Sequence, residues 1–303
     1  MDLRNSLPYI GIAAMLLLVE AIALLLIPPM NKAGYAAFED PGSVANPLIF
    51  IAIMLIFTGA LLILIKRGGK KIIAAIIAFS IFLTFAYIFA AVLTEFMGIS
   101  SATMGLALLI SLAATLLLYK YPEWYVIDIL GILICAGAAA IFGISLEILP
   151  VILLLALLAL YDAISVYKTK HMITLAEGVI DMKTPILVVV PKSLRYSYIR
   201  EGLEIQKDKE ERGAVMMGMG DLIMPSILVV SSQAFLKAPA IPGGITIPTI
   251  GAIAGSLVGL GILLYYVNSG KPQAGLPPLN GGTIAGFLIA CALTGAWGWI
   301  PSI

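Results

Sequence analysis

The chain has 303 residues, of which 61% are hydrophobic and only 12% are charged, and its formal net charge at pH 7 is +1. Soluble proteins carry roughly a quarter charged residues, so this composition excludes an ordinary soluble domain and indicates a membrane protein. The small net charge gives no support to a nucleic-acid partner. Cys135 and Cys291 both lie in apolar segments, and they predict neither a disulfide framework nor a metal site.

The apolar segments predict membrane-spanning helices. Each is about 20 residues long, which is the length of a helix that crosses the hydrocarbon core of a bilayer. Strands of a membrane barrel would be about half as long and would alternate in polarity. We therefore expect an all-α, polytopic membrane protein with nine transmembrane helices, at Leu7–Ile27, Pro47–Ile65, Ile72–Leu93, Ser101–Tyr119, Trp124–Ile144, Leu149–Tyr167, Ala214–Phe235, Ile245–Val267 and Pro278–Trp299. The first segment has no convincing signal-peptide cleavage site, so we expect it to be retained.

The connection between the sixth and seventh segments is long and polar. Within it, Thr184–Pro191 is a β-branched run bounded by prolines, which predicts a short strand. The mixed charges of Lys207–Arg212 are typical of a solvated face. We expect one integral membrane domain, with helices 1–6 in residues 1–167, the loop in residues 168–213 and helices 7–9 in residues 214–303.

The basic residues predict the orientation in the membrane. With nine helices, all 18 Lys and Arg residues except Lys32 and Lys237 lie on the side of the N-terminus. Cytoplasmic loops carry the excess of Lys and Arg in membrane proteins. We therefore expect a cytoplasmic N-terminus, a cytoplasmic 168–213 loop and a C-terminus on the outside.

Acidic residues within or beside the predicted helices are candidate functional groups. A charge at the centre of a bilayer costs roughly 2.5–3.5 kcal/mol on insertion scales. Glu95 and Glu147 lie at the outer ends of their helices, and Asp128 lies about one turn inside a cytoplasmic end, so we expect these three to reach water. Glu20 lies deeper and is isolated, which predicts a protonated carboxyl hydrogen-bonded to a neighbouring helix.

Asp162 and Asp221 differ from the other acids because their predicted depths match. Asp162 precedes the cytoplasmic Lys168 by about 9 Å of helix, and Asp221 follows the predicted helix start at Ala214 by about 10 Å. These consecutive helices are antiparallel, so both carboxyls are expected at one level near the cytoplasmic face. Two close carboxyls cannot both ionise, and the pair then offers a base that deprotonates water and an acid that protonates a peptide carbonyl. Depth alone also allows two separately protonated acids that serve helix packing.

Short motifs surround both aspartates and open the last helix. Tyr161 precedes Asp162 and can donate a hydrogen bond. Asp221 ends the motif Gly218-Met219-Gly220-Asp221, whose glycines allow another backbone to approach the carboxyl. The last helix opens with Leu276-Pro277-Pro278-Leu279, where two prolines leave backbone carbonyls without helical partners. Taken singly, each motif is also explained by helix packing or by an ordinary helix start.

Together, the three motifs resemble the presenilin and signal peptide peptidase family of GxGD aspartyl proteases. The match consists of Tyr161-Asp162 on the sixth helix, Gly218-Met219-Gly220-Asp221 on the seventh, and Pro277-Pro278-Leu279 at the start of the ninth. Nine helices, a long sixth loop and an outside C-terminus fit the family as well. The chain is most similar to a prokaryotic, archaeal-type presenilin homologue over essentially its whole length.

The resemblance implies an intramembrane aspartic endopeptidase that cleaves the transmembrane helices of other proteins. It implies that Asp162 and Asp221 are the catalytic pair, that the third motif helps to bind substrate, and that neither a cofactor nor a metal is needed. Pro278 stands where the family usually has alanine, which affects the expected substrate contacts and not the catalytic pair. The resemblance further implies a location in the plasma membrane of a prokaryote.

A helical substrate must be unwound before it can be cut, because its carbonyls are hydrogen-bonded within the helix. We hypothesise that the Thr184–Pro191 strand and the extended backbone near Pro277–Leu279 capture the unwound segment by β-augmentation. Gly251, Gly255 and Gly259 in the eighth helix are spaced four residues apart, which predicts close helix packing, either within one chain or between chains.

The residues of the chain also decide between this function and others. The only histidine, His171, lies in the loop, so a zinc site of the HExxH type and a serine–histidine dyad within the membrane are both excluded. Prepilin peptidases also use GxGD, but they usually carry lysine where this chain has Ile223. The alternative from another class is a proton- or cation-coupled transporter or channel that uses the same carboxyls. A transporter of this kind should move solute in vesicles and show no peptidase activity.

Overall fold

The computed structural model describes residues 3–169, 187–193, 196–201, 213–267 and 273–300. The helices in these ranges are α1 (Leu3–Lys32), α2 (Ala45–Lys66), α3 (Lys70–Met97), α4 (Ser101–Lys120), α5 (Trp124–Ser145), α6 (Ile148–Ile164), α7 (Met219–Phe235), α8 (Ile247–Val267) and α9 (Leu276–Thr294). A π-helical turn, Ser165–Thr169, extends α6, and a single helical turn lies at Tyr198–Glu201. Across the described ranges, eight helices are long and apolar enough to cross a membrane, and α7 is apolar but shorter. The all-α, polytopic prediction is confirmed.

The helices α1, α5 and α7 pack together at the centre of the bundle. Leu16 and Val19 of α1 are fully buried, so the first helix is part of the core. α5 and α7 approach closely at Gly143, where an added Cβ would overlap the side chain of Val230. Because interiors are packed at nearly crystalline density, this contact holds the helix that carries Asp221 against α5.

Two strands form an antiparallel pair between α6 and α7. The strands are β1 (Leu187–Pro191) and β2 (Ala214–Gly218), and their register runs from Leu187 opposite Gly218 to Pro191 opposite Ala214. Residues 184–186 of the predicted strand lie outside the described residues. β1 is the inner strand, because Val188 and Val189 are buried and the strand packs against α5.

The seventh helix begins five residues later than its composition suggests. Residues 214–218 are β2, and the helix starts at Met219, so the predicted start at Ala214 is wrong. Gly218 has an extended backbone, with φ −64° and ψ 136°, and glycine is about 1 kcal/mol less favourable than alanine within a helix. The backbone groups of residues 214–218 pair with β1 instead. Asp221 therefore lies in the first turn of α7, directly after a strand.

Small residues pack α8 tightly against α9. An added Cβ at Gly255 would overlap the carbonyl oxygen of Gly282, and one at Gly259 would overlap the carbonyl oxygen of Pro278. Gly251 meets Gly286 and Ala290 in the same way. The predicted packing role of the three glycines in α8 is confirmed, and this packing supports the start of α9 from one side.

Gly255→Ala is expected to destabilise the protein. The two backbones must separate to admit the methyl group, and overpacking of this kind costs roughly 1–3 kcal/mol. A thermal unfolding curve in detergent should show a lower Tm for Gly255→Ala. Gly261→Ala is the matched control, because an added Cβ there meets nothing within 4 Å. Equal Tm values for the two variants would contradict the packing account.

Candidate active site

Asp162 lies in the last turn of α6 and is buried, with 7% of its surface exposed. Its Oδ2 accepts a hydrogen bond of 3.0 Å from the backbone N–H of Leu276, the first residue of α9. The first N–H groups of a helix have no partner within the helix, and they favour a carboxylate in front of them. Asp162 therefore joins the end of α6 to the start of α9.

Asp221 is half-buried in the first turn of α7 and faces the same peptide of the chain. An added Cβ at Gly275 would lie 2.9 Å from Oδ2 of Asp221 and 3.0 Å from its Oδ1. Gly275 and Leu276 are consecutive, so the two carboxyls meet at a single peptide unit. They are also close enough to interact electrostatically. The predicted convergence of the two acids is present, although the helix that carries Asp221 starts later than predicted.

The glycine motif connects β2 to α7. Gly218 is the last residue of β2, and an added Cβ there would lie 3.5 Å from Oδ2 of Asp221, an ordinary contact distance. Gly220 is exposed, and an added Cβ there would meet nothing within 4 Å. The side chain of Met219 is buried against Gly131 of α5. Among the described residues, the site is thus open beside Gly220 and closed on the side of Met219.

The proline motif forms the first turn of α9. Pro277 and Pro278 are half-buried at its first positions, and Leu279 is fully buried. Proline has no N–H and its φ suits a helix start, so both residues fit this place. Leu279 packs in the core, and Gly259 of α8 lies against the carbonyl oxygen of Pro278. This motif holds the backbone next to both aspartates in place.

Further contacts tie the start of α9 to α6. Nδ2 of Asn280 donates to the carbonyl oxygen of Leu155 at 3.0 Å. The hydroxyl of Tyr167 donates to Oε1 of Gln273 at 2.9 Å and accepts from the N–H of Ala274 at 3.4 Å. Sequence analysis did not identify these residues or Gly275. Asn280 could have been identified because it is a polar residue within an apolar helix, whereas nothing in the sequence distinguishes Tyr167.

Tyr161 is half-buried in α6 beside Asp162. Cys135 and Cys291 are free and buried, as their apolar surroundings predict. Within the described part of the chain, His, Cys, Asp and Glu form no group of three or more that could hold a metal ion. His171 and the charged run 207–212 lie outside the described residues.

Three of the other acids that the sequence singled out lie in different environments. Glu20 is buried, and its Oε1 accepts a hydrogen bond of 2.7 Å from Oγ of Ser256 on α8, which confirms the predicted bond to a neighbouring helix. Glu95 is partly exposed and pairs with Lys32 at 3.0 Å. Glu147 is exposed, as expected.

Asp128 does not reach water, so that prediction is wrong. Only 4% of its surface is exposed, and its Oδ1 accepts a hydrogen bond of 2.8 Å from the N–H of Val189 in β1. The depth of Asp128 within its helix was estimated correctly, but β1 packs over that end of α5 and covers the carboxyl.

Comparisons with known proteins agree with this geometry. The family profile described as signal-peptide peptidase, presenilin aspartyl protease matches residues 13–296. Two solved structures of a presenilin family intramembrane aspartate protease, in the C222 and P2 space groups, are each 52% identical to the chain. Each superposition includes 95% of this chain. It includes 100% of the C222 structure with a TM-score of 0.72, and 99% of the P2 structure with a TM-score of 0.71. No curated protein matches the chain.

These comparisons give no support to the transporter alternative. The family profile spans nearly the whole chain, including both aspartates and the proline motif. The motifs that suggested the family from sequence lie at one site, where α6, α7 and α9 meet. The chain therefore belongs to the signal-peptide peptidase and presenilin family, and it is an intramembrane aspartyl protease.

Proposed function

We propose that Asp162 and Asp221 are the catalytic pair of this protease. The observation that carries the proposal is their convergence on the Gly275–Leu276 peptide unit, where one carboxyl accepts a hydrogen bond from Leu276 and the other lies 2.9 Å from the place that a Cβ at Gly275 would take. Three helices that are distant in sequence supply this one small site. Two acids that served only helix packing would not require a residue without a side chain, Gly275, between them.

The pair shares one proton and hydrolyses a peptide bond in two stages. The ionised carboxyl takes a proton from a water molecule, whose oxygen attacks the peptide carbonyl carbon, while the other carboxyl donates its proton to the carbonyl oxygen. The tetrahedral intermediate then collapses. The C–N bond breaks as the leaving nitrogen takes a proton from one carboxyl and a hydroxyl proton of the intermediate passes to the other, which yields a new carboxyl terminus and a new amino terminus and leaves the pair with one proton.

The substrate is a transmembrane segment that reaches the site in an extended form. In an antiparallel pair, successive residues face the partner strand and the open edge alternately. The N–H of Lys192 donates to the carbonyl oxygen of Gly213 at 2.8 Å, which continues the ladder beyond β1 and β2. Even-numbered residues of β1 therefore face β2, and residues 214, 216 and 218 of β2 direct their N–H and C=O groups to the other edge, which has no partner strand among the described residues and is called the open edge below.

We assign the β-augmentation edge to β2. The sequence-based hypothesis placed it on Thr184–Pro191, but β1 is the inner strand and its valines are buried. β2 leads without interruption into Gly218 and Asp221, so a strand added along it ends next to both carboxyls. The Gly275–Leu276 peptide borders the same place from the side of α9. The extended backbone expected near Pro277–Leu279 is a wrong prediction, because these residues form the first turn of α9 and Gly275 is itself helical, with φ −80° and ψ −40°.

The membrane placement also follows from the basic residues. The protein is an integral membrane protein, and we assign the N-terminus and the 168–213 segment to the cytoplasm and the C-terminus to the outside. The resemblance to prokaryotic presenilin homologues supports a location in the plasma membrane of a prokaryote. The proposed orientation puts the two aspartates near the cytoplasmic face of the bilayer.

A hydroxyl isostere of a substrate peptide tests the catalytic pair. A transmembrane peptide whose scissile carbonyl is replaced by CHOH should inhibit cleavage at least 100-fold more strongly than the same peptide with CH₂ there, because the hydroxyl mimics the tetrahedral intermediate between two carboxyls. Inhibition constants measured with purified protein in detergent make the comparison. Equal inhibition by the two peptides would count against the assignment.

A further inference from the structure

Asp128 is a buried acid that the mechanism above does not use. It lies on α5, and its Oδ1 accepts the N–H of Val189 at 2.8 Å. Its Oδ2 is also buried and has no hydrogen-bond partner among the described residues. A buried polar atom without a partner lowers stability, whereas the other oxygen satisfies a buried N–H that an apolar side chain would leave unpaired. The role of Asp128 therefore depends on what its bond to Val189 does for the strand pair.

The strand register shows what the bond to Val189 does. Residues 188, 190 and 192 face β2, so residues 187, 189 and 191 direct their backbone groups away from it. The N–H at 189 is occupied by Asp128, and Pro191 has no N–H. Two of the three outward positions of β1 therefore cannot donate to another strand. The corresponding edge of β2 carries neither a proline nor an acid from α5.

The same face of α5 also holds the start of α7. Asp128, Gly131 and Cys135 are three and four residues apart, so they lie on one side of the helix. An added Cβ at Gly131 would meet Cε of Met219 at 2.6 Å and Cγ1 of Val188 at 3.9 Å. Sγ of Cys135 contacts the carbonyl oxygen of Met219 at 3.7 Å. The same face of α5 therefore fixes both the position of β1 along the helix and the position of the glycine motif.

We propose that Asp128 is a positioning residue that closes the edge of β1 that faces α5, so that a substrate strand adds only to β2 and in a single register beside Asp221. This inference rests on the proposed strand addition. An open edge accepts strands in more than one place, and native proteins block unwanted edges with inward-pointing charges and prolines. Asp128 and Pro191 are the two devices of this kind on β1.

Two substitutions separate this role from a structural one. Asp128→Asn keeps an oxygen that accepts from Val189, whereas Asp128→Leu has nearly the same shape and no acceptor. A transmembrane peptide is cleaved by each full-length, purified variant, the cleaved bonds are identified by mass spectrometry, and KM and kcat are measured separately. We expect Asp128→Asn to cut the wild-type bonds with KM within about twofold. Asp128→Leu should raise KM about tenfold and spread cleavage over neighbouring bonds, with a smaller change in kcat.

Either of two results would overturn the proposal. The first is that Asp128→Leu cleaves the same bonds as wild type with the same KM. The second is that Asp128→Asn and Asp128→Leu raise KM and spread cleavage equally, which would assign the effect to the charge. If Asp128→Leu fails to fold, Asp128→Ala removes the acceptor with a smaller side chain, and unchanged bonds and KM in that variant would overturn the proposal as well. A separate variant tests whether substrate pairs with β2 at all. If it does not, Met216→Pro on the open edge of β2 would cleave the peptide normally.

Discussion

Gly275→Val is expected to abolish peptidase activity, with at least a 100-fold loss in kcat. An added Cβ at this position would lie 2.9–3.0 Å from three atoms of the Asp221 carboxyl, which must then move away from Asp162. Displacement of a reacting group by about 1 Å costs on the order of 10²-fold in rate. The backbone of Gly275, with φ −80° and ψ −40°, suits any residue, so the loss is attributable to the side chain alone. Cleavage of a transmembrane peptide in detergent measures it.

Gly281→Val is the matched control for this experiment. Gly281 lies six residues further along the chain in α9, is exposed, and has open space around an added Cβ. It should cleave at the wild-type rate, and both variants should elute like wild type from a sizing column. If Gly275→Val retains full activity, the carboxyl of Asp221 does not act from the position described above.

Met216→Pro is expected to lower kcat/KM at least tenfold. The N–H of Met216 points to the open edge of β2, so its removal leaves the β1–β2 ladder intact and takes one donor from an added substrate strand. Proline is tolerated on edge strands for the same reason. The loss should appear mainly in KM, since the aspartates are not displaced.

Leu187→Pro is the control for Met216→Pro. Leu187 also directs its N–H away from the partner strand, but it lies on the closed side of the pair. The same cleavage assay should give near wild-type kcat/KM for Leu187→Pro. A substrate that binds equally well to both variants does not pair with β2, and the proposed docking edge would have to be abandoned.

The helices and the aspartate pair could be predicted from the sequence because each rests on a local property. A bilayer of fixed thickness sets the length of an apolar helix, so hydropathy finds α1 to α6, α8 and α9 within a few residues. A charged residue within such a helix is rare enough to be a candidate on its own. Asp162 and Asp221 were found in this way, and the surrounding motifs named the family.

The start of α7 could not be predicted because it depends on a distant partner. Ala214–Gly218 is an apolar run, and hydropathy does not distinguish the start of a membrane helix from a short buried strand. Its strand character comes from β1, which lies more than 20 residues away in the chain. The glycine at 218 was the one local sign that a helix was unfavourable there.

Gly275 was missed, and Asp128 was wrongly expected to reach water, for the same physical reason. The contact between Gly275 and Asp221 joins residues 54 positions apart, and the bond from Val189 to Asp128 joins residues 61 positions apart. A glycine before a helix and an acid one turn inside a helix have ordinary local explanations. Only the folded chain brings their partners into contact with them.

Cleavage of a transmembrane peptide by purified wild type, Asp162→Asn and Asp221→Asn tests the central claim most directly. Asparagine keeps the shape of each side chain but can neither take nor donate the shared proton, so each single variant should lose at least about 10³-fold in kcat. Both variants should elute like wild type from a sizing column. Cleavage at the wild-type rate by either variant would show that the two carboxyls do not act as a catalytic pair.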